Sequence, residues 1–174
     1  LPFPLLEGWQ RILEIVPFAE TLNRSSLKVM GIPDGRYALS VDGEAVGEYS
    51  SRDLAQGIDL ATNERTPAYK QARAVLDLAL QWFEITRKMR NAAYGERTVR
   101  GKKADLSDDA SVQAAIAPVL ENPNTRGYVK GFMNDFLEVR QKRAEMEAEM
   151  ARIEKEMRAG AKPLSHRYEL KRLP

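Results

Sequence analysis

The stretch LKVMGIPDGRYALSVDGEAVGEY, residues 27–49, decides the fold class. Tyr37, Leu39 and Val41 alternate with Ala38, Ser40 and Asp42, the period of a strand with one buried face. Asp42-Gly43 follows, a pair that tolerates positive φ and so predicts a tight hairpin. Ala45 to Tyr49 reads as the returning strand. Upstream, Leu27, Val29 and Gly31 alternate with Lys28 and Met30, and Pro33-Asp34-Gly35 is a turn signal. The expectation is a three-stranded antiparallel meander with one apolar face. So small a sheet needs something packed on that face.

Helical patterns flank the meander. On its N-terminal side, Leu1-Pro-Phe-Pro4 is stiff and extended. Trp9, Ile12, Leu13 and Val16 predict a short helix that Pro17 ends, and Phe18 to Leu22 follows as a turn. On its C-terminal side, Ser50 or Ser51 caps a short helix that Gly57 terminates, and Ile58 and Leu60 return to the core. Thr66-Pro67 reads as a cap and first helical residue. From there Ala72, Val75, Leu76, Ala79, Trp82, Phe83 and Met89 line one broad face, the expected cover for the sheet. Gly95 to Asp105 reads as an exposed polar loop. Ser107 is expected to cap a helix that Pro118 bends or shortens.

Phe132, Phe136, Val139, Met146, Met150, Ile153 and Met157 then mark a seam on a long helix, about four heptads interrupted by Arg143. A methionine-rich seam on a charged helix must be buried. It folds back on the Pro67 helix or pairs with another copy, and these residues with His166 are the candidate interaction positions. After Gly160 and Pro163, Leu164, His166, Tyr168 and Leu170 alternate with polar residues, predicting a strand at the edge of the meander. The fold class is α+β, in segments 1–95, 96–126, 127–160 and 161–174: meander plus helix, polar loop with a short helix, long helical arm, and closing strand.

Composition narrows the chemistry. The 174 residues suit one domain, with or without an appendage. Lys plus Arg is 27 against 25 for Asp plus Glu, too balanced for bulk nucleic-acid binding. No apolar run approaches the roughly 18 residues of a membrane span. Absent cysteine excludes disulfides, thiol nucleophiles and cysteine-ligated metals. No residue pattern calls for a metal or cofactor. The single histidine, His166, would have to serve any Ser-His-Asp triad. It sits on the apolar side of a strand with no Asp in a motif around it, so a structural role is expected. The carboxylates along the long helix alternate with Lys and Arg, which reads as solvated ion pairing. The Arg97 to Lys103 cluster reads as a solvated loop, with contact to an anionic polymer as the alternative.

One block resembles a known family. Leu22-Asn23, Leu27-x-Val29-x-Gly31-Ile32-Pro33-x-Gly35-x-Tyr37-x-Leu39 and Val41-Asp42-Gly43-x-x-Val46-Gly47 resemble a core of bacterial SGNH/GDSL-type esterases. The likeness continues through Ser50 to Leu54, Gly57-Ile58-Asp59-Leu60-Ala61 and Thr66-Pro67 with Gln71-Ala72 and Val75. The family usually carries Asn where Asp59 stands. The entry through Phe18 and an ending with Pro163, His166 and Tyr168 are also similar. The resemblance implies a parent that hydrolyses acyl esters with Ser, a His base and an oxyanion hole. Its Gly-Asp-Ser and Asp-x-x-His blocks lie upstream in such proteins, and neither stands in this sequence, so no catalytic residue carries over.

The resemblance therefore implies a non-catalytic accessory or assembly domain. Its partner would be an upstream catalytic domain of the same polypeptide or another copy of the chain, in an exported bacterial protein. The opening on Leu1, with no initiator Met or leader pattern, fits a chain that starts partway through a longer product. The alternatives are a filament or cell-surface protein assembling through the seam and edge strands, and a stand-alone enzyme using His166.

Overall fold

The computed structural model describes residues 1–4 and 22–174. The expected helix from Glu7 to Val16 and most of the turn after it lie outside the described residues. Element order is β1 (Ser26–Leu27), β2 (Arg36–Val41), β3 (Glu44–Ser50), α1 (Ser51–Gln56), β4 (Ile58–Asp59), α2 (Pro67–Gly101), α3 (Asp109–Glu121), α4 (Gly127–Gly160) and β5 (Tyr168–Arg172). The class is α+β, as expected. Contacts divide the chain into two compact units, Leu1–Asp77 with Glu156–Pro174, and Leu78–Lys155. This grouping cuts across the four segments drawn from the sequence.

In the first unit, β2 is the central strand of a three-stranded antiparallel sheet, order β3-β2-β5. The β2–β3 hairpin turns through Asp42 (φ 53) and Gly43 (φ 84), the two positive-φ positions that the Asp-Gly pair supplies. The closing strand docks on β2 with Val41 opposite Tyr168, Leu39 opposite Leu170 and Tyr37 opposite Arg172. The expected first strand of the meander is corrected. Only Ser26–Leu27 is extended, and it pairs with Ile58–Asp59 in a separate ribbon. Two alternating apolar residues state a period but not a partner. Asp59 fixes the ribbon: its carboxylate accepts from the N–H groups of Ser25 (2.9 Å) and Ala61 (3.0 Å).

The cover of the sheet also differs from the expectation. Among the described residues, Leu39, Val41 and Val46 cluster with Leu60, Leu27 and Ile58, so the ribbon packs where the Pro67 helix was expected. The local signals for α1 and α2 hold. Ser50 and Asp53 form a reciprocal capping box, and Gly57 (φ 106) ends α1. The Thr66 hydroxyl accepts from the N–H of Tyr69 (3.2 Å), which caps α2. The Gln71 amide of α2 donates to the carbonyls of Gly160 (2.6 Å) and Lys162 (2.7 Å), pinning the chain between α4 and β5.

In the second unit, α2 and α4 lie antiparallel. Trp82 bonds Glu154 (3.2 Å), Lys88 bonds Glu138 (2.8 Å) and Asn91 bonds Asp135 (2.8 Å), so position advances on one helix as it retreats on the other. Ala92 and Val99 of α2, Val112 and Ile116 of α3, and Met133, Phe136, Val139 and Met146 of α4 form the core. Phe83, expected in that face, is 54% exposed. Adjacent helical residues point about 100° apart, and with Trp82 turned to Glu154 of α4 its neighbour Phe83 faces away.

The loop expected from Gly95 is also corrected, because α2 runs on to Gly101. Gly95 is there for packing: a Cβ would lie 2.5 Å from Phe136 Cβ and 2.7 Å from the carbonyl oxygen of Phe132. The cap of α3 is Asp108, whose carboxylate accepts from the N–H groups of Ala110 and Ser111. Ser107 instead bonds the Asp105 carboxylate (2.7 Å). Pro118 stays inside α3, which continues to Glu121. The long helix α4 loses helical geometry at Lys142 (φ −118, ψ 15), beside the Arg143 interruption of the seam.

Candidate functional site

The seam positions are largely consumed by the fold. Phe136, Val139, Met146 and Ile153 are buried, the last completely. Met150 and Met157 are half-buried. Phe132 is half-buried and holds an aromatic group at the surface: it stacks on Tyr94 (centroids 5.1 Å apart) and meets Tyr128 edge-on (5.7 Å). The basic cluster is partly spent as well. Arg100 pairs with Glu96 (2.7 Å), and Lys102 donates to the carbonyl of Ala115 (2.8 Å).

His166 is where the structure adds most. It lies just before β5, and its Nδ1 is 2.7 Å from Oδ2 of Asp42, 124 positions away in the chain. The other carboxylate oxygen of Asp42 accepts from the N–H of Arg167 (2.8 Å), and the N–H of Asp42 donates to the Arg167 carbonyl (2.9 Å). The N–H of Arg167, and then the His166 ring, hold the Asp42 carboxyl below the usual carboxylate range. An ionised carboxylate only accepts, so Nδ1 carries the proton and Nε2 is left as the ring's outward atom. The His166 side chain is 12% exposed.

His166 also lines a cavity of about 260 Å³ within the first unit. Its wall takes Leu1, Pro2, and the run Leu22 to Ser25 from the N-terminal side, Ala68 from α2, and Pro163 and Leu164 from the segment before β5. The backbone of Phe3 exchanges two hydrogen bonds with the buried Asn23 side chain (2.7 and 2.9 Å), which fixes that side of the wall. Sequence reasoning took Asp42 as a turn residue and gave Arg24 no role. A strand expected at the meander's edge brings His166 near the hairpin, but its register with β2, which decides the Asp42 contact, is not written locally.

Among the described residues no cluster of His, Asp or Glu is arranged to hold a metal ion. Among them no helix is long and apolar enough to cross a membrane.

No family model and no curated protein matches the chain. A solved structure does. The chain is similar to a gut microbial diltiazem-metabolizing enzyme, with a TM-score of 0.80 and 28% sequence identity. The match takes in 99% of this chain but only 41% of that enzyme, so the chain spans about two fifths of its length.

Proposed function

We propose that the chain is a non-catalytic accessory or assembly domain of a larger, exported bacterial ester hydrolase of the SGNH type, whose catalytic part cleaves acyl esters. One observation carries the reading: nearly the whole chain superposes on about two fifths of an enzyme, leaving the greater part of that enzyme outside the match. The resemblance of the block from Leu22 to Val75 supports that family, and a sequence without its nucleophile and acid–base blocks fits chemistry carried by a different part of the parent. The name of the similar enzyme suggests small organic molecules as the parent's substrates. Self-assembly through the α4 seam draws less support, because Phe136, Val139, Met146 and Ile153 are already covered within one chain.

The test is turnover of p-nitrophenyl acetate by the purified chain and by His166→Ala. Neither should exceed the buffer rate. Hydrolysis by the chain that disappears in His166→Ala would make His166 catalytic and end the accessory reading.

A further inference from the structure

The cavity beside His166 has two kinds of wall. Arg24, Ser25 and His166 bring polar groups to it, and Leu22, Pro163 and Leu164 bring apolar surface. Among the described residues no acidic side chain lines it. Arg24 makes no ion pair among the described residues, whereas Arg36, Arg73, Arg87, Arg100, Arg140 and Arg152 are each engaged with a carboxylate. Leu22 is 77% and Leu164 64% exposed, a high exposure for leucines beside a concave surface. The ring of His166 is held at Nδ1 by Asp42, and Nε2 has no partner among the described residues. Among the described residues, the charged groups at the ring and in its cavity wall are Asp42 at Nδ1 and Arg24.

We propose that this cavity binds a short-chain carboxylic acid as its anion, with the carboxylate between Arg24 and His166 Nε2 and the hydrocarbon chain against Leu22 and Leu164. A guanidinium offers a carboxylate two parallel donors, and charge-assisted bonds of this kind are the strong ones. With a proton on both ring nitrogens, His166 donates from Nε2 to the ligand and from Nδ1 to Asp42. Leucines at the cavity distinguish an acyl carboxylate from a bare oxyanion, because only the former gains from covering them. The site is a binding site and involves no covalent step. It rests on the cavity lining and not on the accessory reading above.

The lone histidine makes the test direct, since one set of imidazole resonances reports on one residue. Sodium butanoate is titrated into the intact chain in mildly acidic buffer while the His166 ring signals are followed by NMR, with sodium chloride at equal ionic strength as the reference. The expected result is a saturable shift, absent with chloride, tighter for hexanoate than for acetate, and weakened about tenfold or more in Arg24→Gln. Arg24 is exposed, so that variant keeps the fold. The chain-length series needs no variant at all. A linear shift matching chloride overturns the site. Equal affinity for acetate and hexanoate, or inorganic phosphate binding as tightly as butanoate, overturns the assignment to an acyl carboxylate. An unchanged affinity in Arg24→Gln removes Arg24 from it and overturns the geometry proposed.

Discussion

Replacing Gly95 by alanine should destabilise this protein, although the same change in an ordinary helix stabilises it. Glycine inside a helix costs about 0.5–1 kcal/mol relative to alanine, through lost backbone freedom. Gly95 sits inside α2, so that amount is the gain available. Against it stands a Cβ placed 2.5 Å from Phe136 Cβ and 2.7 Å from the Phe132 carbonyl oxygen. Neither atom is the free end of a flexible side chain. Relief therefore requires the two helices to separate locally, and overpacking of this kind costs about 1–3 kcal/mol. The cost outweighs the gain across these ranges, by up to about 2.5 kcal/mol. For a chain of this size that lowers the melting temperature by up to roughly 10 °C. The internal control is Gly131→Ala in α4, where a Cβ meets nothing within 4 Å. It should raise stability by about 0.5–1 kcal/mol. Thermal melts of the three proteins by circular dichroism decide the matter. Gly95→Ala melting at or above the wild type, with Gly131→Ala behaving as described, would refute the close approach of α2 and α4.

Three further perturbations probe other parts. Ile116→Ala empties a fully buried position in the second unit's core and should cost about 2–5 kcal/mol, read by urea unfolding. Asp42→Ala removes the contact to Arg167 and His166. Because the Asp42 carboxyl is held low in the folded state, its contribution is complete above the ordinary carboxylate pKa of about 3.9 and is lost as pH falls through the lowered value. The gap in melting temperature between wild type and Asp42→Ala should narrow as pH falls below the ordinary carboxylate pKa; a gap that stays undiminished at the acid end would contradict the linkage. Gln71→Met keeps the side-chain length but deprives the carbonyls of Gly160 and Lys162 of their donor. It should cost about 1 kcal/mol and speed amide exchange in β5, which hydrogen exchange would detect. The cost is held down because the Gln71 Oε1 is itself buried without a partner.

Local chemistry was legible in the sequence, and pairing at a distance was not. Asp42-Gly43, Gly57 and Thr66-Pro67 each fix a turn or a cap through groups a few residues apart, and each sits where its spacing placed it, while of the two candidate caps Ser50 and Ser51 the structure uses Ser50. The return of β5 was legible from its alternation. Its pairing with β2, which displaces Leu27 to Gly31 from the meander, depends on a choice among strands that alternation alone does not make. Gly95 shows the same limit: a glycine that ends a helix and one that admits a neighbouring helix look identical in one chain. The His166–Asp42 contact joins positions 124 apart and had no local signal beyond the hairpin and the strand themselves. The heptad seam identified side chains that must be covered. It did not say that α2 and α3 supply most of the cover in the second unit's core.

The reading as a part of a larger ester hydrolase is tested most directly by the coding sequence immediately upstream of Leu1. The account predicts an open frame that continues upstream and encodes a Gly-Asp-Ser block followed by an Asp-x-x-His block. A frame that opens just before Leu1, or one that continues without either block, would contradict it.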